Sequence, residues 1–194
     1  YINAVGHFIP SKRIPNEYFA DVNGLSSEWI YQRTGIRSRS RSNEDETINQ
    51  MCKKAVENAL PCLPYDIKDV DLIIFASYTP SDTVVTAAHY IQNEYNISNA
   101  KAFYISSACS SGINAIETIN AYLTTQMATK ALLICADRNS AYSDESDCTS
   151  GHLWGDAAVA FFFSKKAEGE KIVEILDITT QGLGHIGKVS RQYL

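Results

Sequence analysis

Apolar residues along the chain fall into two recurring patterns. Short, nearly continuous apolar runs alternate with longer stretches in which apolar positions return every three or four residues. The runs are Val70–Ser77 (VDLIIFAS), Ala102–Ser106, Ala131–Ala136 (ALLICA), Ala157–Ser164 (AAVAFFFS) and Ile172–Thr179. Each has the length of a strand, and strands apolar at consecutive positions belong to a sheet covered on both faces. The periodic stretches predict helices. Asn43 and Glu46 stand at capping-box spacing. Beyond them Ile48, Met51, Ala55, Ala59 and Leu60 share one helical face, and Pro61 stops the helix. A second helix is predicted from about Thr83 to Tyr95, with Val84, Ala87, Ala88 and Ile91 on one face. A third runs from near Cys109 to about Thr124, with Ile113, Ile116 and Leu123 periodic. Strands alternating with helices give an α/β fold, a mixed but mostly parallel sheet sandwiched by helices. No internal repeat, low-complexity tract or long linker interrupts it, so residues 1–194 read as one domain.

Composition narrows the class. Of the 194 residues 45% are hydrophobic and 20% charged, which excludes a disordered or fibrous chain. No apolar run is long enough for a transmembrane helix. No basic start followed by an apolar stretch suggests a signal peptide, and because the chain opens on Tyr1, leading residues are expected to have been trimmed. The net charge of −5 argues against nucleic-acid binding. The basic run Arg33, Arg37, Arg39 and Arg41 reads as a solvated loop or a local anion contact. The five cysteines, Cys52, Cys62, Cys109, Cys135 and Cys148, include no CxxC pair and are odd in number. They suggest neither a disulfide framework nor a zinc ribbon, and a reducing, cytoplasmic compartment is expected. His7, His89, His152 and His185 stand at no metal-ligand spacing, so no metal site is expected.

The most informative stretch is Tyr104–Gly112 (YISSACSSG). A strand ends, small residues follow, and a cysteine opens a helix. Small neighbours permit a tight turn and close approach of a substrate. A thiol there faces the positive end of the helix dipole, which favours the nucleophilic thiolate. A buried, inert cysteine is the competing reading, and it is the one that fits Cys52, Cys62 and Cys135 within their apolar patterns.

Five segments, in order, resemble the amino-terminal half of β-ketoacyl-acyl-carrier-protein synthase III, a thiolase-like condensing enzyme. They are Trp29-Ile30 through Arg33-Thr34-Gly35-Ile36, Glu46-Thr47, Asp71–Ala76 with Thr79-Pro80, Ala108-Cys109-Ser110, and Leu153-Trp154-Gly155-Asp156-Ala157-Ala158. The resemblance implies a thiolase-like half whose carboxy-terminal partner half is absent from this chain. It implies that Cys109 is acylated by an acyl-coenzyme A, and that malonyl-acyl-carrier-protein then loses carbon dioxide and attacks the thioester. The Cys109 N–H would be one oxyanion donor. Trp29 and Arg33 match residues that hold the adenine of coenzyme A. The resemblance further implies a homodimer, with acyl-CoA and acyl carrier protein as partners and no cofactor beyond the thioester substrate. The family's decarboxylation His and Asn lie in the other half, so this piece alone is expected to be inactive in full condensation. His185 does not match their motif and reads as a loop histidine.

Three departures stand out. Cys148 occupies a place where the family often has an arginine that holds the nucleotide. Val84 stands where many members place an aromatic that crosses the dimer to cap the partner's acyl pocket, which implies a roomier pocket. Ala157 replaces a usual glycine and requires a negative φ. Two alternatives remain open: a relative serving secondary metabolism as ketosynthase or acyltransferase, and a non-catalytic half that dimerises or binds a partner. A dinucleotide-binding domain needs GxGxxG after the first strand, and no such motif follows it.

Overall fold

The computed structural model describes residues 1–184. The elements are β1 (Ile2–Phe8), β2 (Lys12–Pro15), α1 (Tyr18–Asn23), α2 (Ser27–Thr34), β3 (Ser38–Arg41), α3 (Ile48–Ala59), β4 (Leu72–Ala76), α4 (Ala87–Glu94), β5 (Lys101–Ile105), α5 (Ser111–Thr124), β6 (Lys130–Arg138) and β7 (Asp156–Ser164). Five strands form the main sheet in the order β1-β7-β6-β4-β5, and β2 and β3 make a separate two-stranded antiparallel sheet. β4 pairs in parallel with β5 and β6, while β7 pairs antiparallel with β6 and β1. Four strands therefore run in one direction and β7 alone runs against them, which is the mixed, mostly parallel sheet that the apolar pattern predicts.

The sheet is covered on both faces because its strands are apolar on both. Along β4, Ile73 and Phe75 pack with Met51, Cys52, Ala55 and Ile91 under α3 and α4. Leu72, Ile74 and Ala76 point the other way, onto Ala115, Ile119 and Leu123 of α5. One helix covers less than two do. Val5 and Ile9 near the β1 edge and Ile113 on α5 are each about half exposed. A groove of about 480 Å³, lined among others by His7, Cys135, Asn139, Ala157 and Val159, runs across this barer face.

The predicted elements stand with adjusted limits. Asn43 N–H does donate to Glu46 Oε2 at 3.0 Å, but the residue that caps α3 is Thr47, whose hydroxyl accepts from Gln50 N–H. α4 starts at Ala87 rather than near Thr83, because Asp82 Oδ1 takes the N–H groups of Val84 and Val85 into a loop turn. The run 172–179 is not a strand. Only Val173 pairs, through two bonds with Ile2, and Leu176 is almost fully exposed. Arg39 is not in a solvated loop: the basic run continues into β3, and strand alternation turns Arg39 inward. Cys62 is exposed, since Pro61 converts the end of α3 into a short 3₁₀ turn that carries the thiol outward.

β1, which the apolar pattern does not reveal, is marked by a steric requirement. A Cβ on Gly6 would lie 2.3 Å from Ala55 O and 2.4 Å from Ala59 N, so glycine is what lets α3 lie directly on β1. Gly6→Ala is expected to destabilise the chain by at least about 2 kcal/mol, since the obstruction is helix backbone that cannot rotate away. Thermal unfolding checks this, and an unchanged Tm would mean that the α3–β1 contact is not a close one.

Candidate active site

All the candidate residues lie along one margin of the sheet. It is formed by the carboxyl ends of β4, β5, β6 and β1, together with the start of β7. Open α/β sheets bind ligands at such margins, where strands hand over to loops.

The nucleophile turn follows β5. Ala108 adopts φ 51, a left-handed conformation that costs a non-glycine residue of the order of 1 kcal/mol. That conformation stops α5 from extending back through Cys109, so the helix begins at Ser111 and Cys109 stands exposed just ahead of it. The turn is held from all sides. Ser110 N–H and hydroxyl both donate to Ser107 O, and Ser111 N–H and hydroxyl both donate to Ala108 O. Ser107 N–H donates to Ser111 Oγ at 2.9 Å, and Asn114 Nδ2 donates to Ser107 Oγ at 2.7 Å. Ser107, Ser110, Ile113 and Asn114 also line a cleft of about 480 Å³ shared with residues 179–182.

The other thiols behave differently. Burial, with Cys135 and Asp137 nearby, pushes the Cys52 thiol far above its ordinary range. Burial and then Asp137 push Cys135 up to about 12. Both are inert at neutral pH. Cys148 is exposed at the tip of a turn whose N–H groups, Thr149 and Ser150, are taken by Asp147.

Two aspartates hold the surrounding loops. Asp137 Oδ1 accepts from Ser77 Oγ and from the N–H groups of Tyr78 and Thr79, which sets the loop after β4. Asp156, fully buried, accepts from Ser42 N–H (2.8 Å), Ser42 Oγ (2.7 Å), Ser140 N–H (2.9 Å) and Ser140 Oγ (2.6 Å). Its own carbonyl accepts from Ser40 Oγ at 2.7 Å. Gly155 is needed beside it, because a Cβ there would lie 3.2 Å from both Ser40 O and Arg39 Cβ. Ala157 has no positive φ, so its methyl meets the condition set by its sequence position.

Trp29 and Arg33 come together one turn apart on α2. The Arg33 guanidinium carbon lies 4.1 Å from the indole centroid. His152 meets the same indole at 5.7 Å between ring centroids and 79° between planes, an edge-to-face contact. Cys109 and Val84 sit on separate loops of the same margin. Val84 is 80% exposed, the tip of the 80–86 loop.

Residues 103–182 match the family described as 3-oxoacyl-[acyl-carrier-protein (ACP)] synthase III. The β-ketoacyl-[acyl-carrier-protein] synthase III of Anaplasma marginale (strain St. Maries) is 34% identical over 167 residues, 86% of this chain and 52% of the relative. Along most of its length the chain is similar to the synthase III family. The crystal structure of 3-oxoacyl-[acyl-carrier-protein] synthase III from Aquifex aeolicus VF5 superposes with a TM-score of 0.81 at 30% identity, over 86% of this chain and 54% of that one. The priming β-ketosynthase of the R1128 polyketide pathway gives 0.79 at 27% identity, over 83% and 48%. The chain thus spans about half the length of the synthase III relatives it matches.

Three features of the site need the fold to be seen. His152 stands at no metal-ligand spacing in the sequence, and its contact with Trp29 crosses more than a hundred residues of sequence. Asp137 carries no motif of its own. Asp156 belongs to the Gly-Asp-Ala-Ala segment, but its role as the acceptor for two distant serines needs the fold. His185 lies outside the described residues. A GxGxxG spacing does occur at Gly182–Gly187, near the chain end and running out of the described residues, not after a first strand. Asp156→Ala leaves four donors without an acceptor, the two of Ser42 buried and the two of Ser140 partly so, and is expected to cost about 3–5 kcal/mol. Urea unfolding followed by two probes checks this, and a loss under about 1 kcal/mol would show that water replaces the carboxylate.

Proposed function

We propose that the protein containing this chain is a 3-oxoacyl-[acyl-carrier-protein] synthase III of fatty acid biosynthesis. Its reaction is a decarboxylative condensation of an acyl-CoA starter with malonyl-acyl-carrier-protein. The observation that carries the reading is Cys109: an exposed thiol, presented by a left-handed Ala108 at the head of α5, inside the family's own sequence match. The thiolate attacks the thioester carbonyl, coenzyme A leaves as its thiol, and the acyl group stays on Sγ. Backbone N–H groups at the start of α5, that of Cys109 included, stabilise the oxyanion. Trp29 offers a flat surface for the adenine, and Arg33 a charge for the phosphates. Because Arg33 already covers the indole at 4.1 Å, a base either takes the other face or displaces the guanidinium. Decarboxylation draws on residues outside this chain. No helix among the described residues is long and apolar enough to cross a membrane, and we assign the enzyme to the cytoplasm.

A homodimer fits two features. β5 is an edge strand whose outer N–H and C=O groups face no other strand of the sheet, and the Val84–Val85 tip is exposed and apolar. The likeness to a polyketide priming ketosynthase favours a second reading, a starter-loading enzyme of secondary metabolism. Cys148 and Val84 bear on that choice because both sit where substrate contacts are expected.

The full-length enzyme, incubated with a panel of acyl-CoAs, is expected to gain one acyl mass that Cys109→Ala abolishes. An adduct persisting in the variant would remove Cys109 as the nucleophile. Competition between starters is expected to favour acyl groups longer or bulkier than acetyl, since Val84 fills less space than an aromatic. Strict acetyl-CoA preference would refute that assignment of the 80–86 loop.

A further inference from the structure

His152 is used by none of the chemistry above, yet its surroundings are specific. The residue is 2% exposed, in the loop between β6 and β7, and its ring stands edge-to-face with Trp29. Its Nδ1 is buried and has no hydrogen-bond partner among the described residues. The charged groups facing it are few. From β3 comes Arg39, itself buried, with its guanidinium donating to Ile14 O and Asn16 Oδ1 and lying over the Phe19 ring. From its own loop comes Asp147, whose carboxylate is taken up by Thr149 and Ser150. From α2 comes Arg33, on the far side of the contact through Trp29. An imidazolium needs an acceptor at each nitrogen. Here one nitrogen has none, and the nearest buried charge is a cation.

We propose that His152 is a positioning residue for coenzyme A recognition, whose neutral ring fixes the plane of the Trp29 indole against which the adenine stacks. This deepens the proposed function and rests on its assignment of Trp29. The argument is geometric. Trp29 is half-buried on a short helix, where it packs on the cluster of Ile14, Phe19 and Ile30 and carries Arg33 over its ring. A perpendicular ring restrains the indole from the side, and an aromatic pair at this separation is in the range where such contacts are directional. The proton matters because it would set a second cation beside Arg39. Burial and then Arg39 pull the His152 pKa below its ordinary value, against a smaller opposite pull from Asp147. The folded chain therefore binds this proton less readily than the unfolded chain does. The stability contributed by the neutral ring is kept above the ordinary histidine pKa and lost as pH falls through that value toward the lower, folded one.

The test uses the full-length enzyme with Trp29→Ala, His152→Ala and His152→Phe, reading KM for the acyl-CoA and kcat separately. His152→Ala is expected to raise KM about 3- to 10-fold, the loss an aromatic pair accounts for, with a smaller effect on kcat. His152→Phe keeps a ring in place and is expected to restore KM. The Trp29 emission, taken as wild type minus Trp29→Phe, is expected to be quenched once pH falls below the ordinary histidine pKa and the imidazole protonates, and His152→Phe should abolish that quenching. If Trp29→Ala raises KM and His152→Ala does not, the positioning role is overturned while the coenzyme A reading stands. If His152→Ala lowers kcat or stability with KM unchanged and Phe gives no rescue, the residue is merely structural and the proposal fails. If Trp29→Ala itself leaves KM unchanged, the base contact is wrong, and the inference built on it falls too.

Discussion

Backbone polar groups cannot be left unpaired where a buried sheet gives way to loops, and at this margin two aspartates do much of the pairing. Asp156 begins β7 and reaches across to Ser42, just after β3, and to Ser140, just after β6. Asp137, near the end of β6, does the same for the loop after β4. The two carboxylates sit within one step of each other's register partner, since Asp137 pairs with Ala157 and Arg138 with Asp156. Three loops are thus fixed to one pair of antiparallel strands. Arg138 closes the network by donating from Nε to Ser42 Oγ at 2.7 Å. The reversed strand β7 is what allows this. Running against its neighbours, it brings its first residue, not its last, to the margin where the others end.

The turn at Cys109 depends on the same economy of polar groups, solved locally. A left-handed alanine before the cysteine is strained, and the strain persists because the turn around it is over-determined. Ser107, Ser110, Ser111 and Asn114 bond one another and the backbone in a closed set. Their side chains are small enough to leave Cys109 open to solvent. Gly112 has a further reason to be small: a Cβ there would come within 3.3 Å of Cys135 Sγ, beneath the helix. The turn is thus rigidly supported from below while the thiol above it stays open to solvent.

How much of this was legible from residues alone follows from range. β4 to β7 were readable because strands buried on both faces are apolar throughout, and α3 to α5 because each shows one clear apolar stripe. β1 was not, since Asn3, Gly6 and His7 break its apolar run. Their reasons lie elsewhere in the chain: Asn3 bonds Ser164, and Gly6 lies under α3. The run 172–179 misled in the opposite direction, with strand-like residues but no free sheet position beyond Ile2 for most of it. Cys62 misled because an apolar neighbourhood in sequence became an outward turn at Pro61. Cys109, Trp29 and Arg33 could be singled out because each lies in a short motif that can be read without the fold. His152 could not be, because its significance is a contact with a ring far away in sequence.

Charge at the Trp29 corner follows a separate logic. The chain as a whole is acidic, with a net charge of −5, yet Arg33, Arg37, Arg39 and Arg41 gather at one end of it. Arg41 pairs with Glu145, and Arg37 stacks on Tyr31, so these two charges are partly spoken for. Arg39 is not paired with any carboxylate among the described residues; it is solvated by a carbonyl, an amide oxygen and an aromatic face. A buried cation held by neutral acceptors keeps its full field, and burial together with Arg41 pulls its pKa below the usual arginine value. A protonated His152 alongside would add to a positive charge that nothing inside the protein offsets. Burial there already disfavours that second cation, so the ring beside Trp29 is held neutral by the same desolvation that leaves Arg39 without a carboxylate partner.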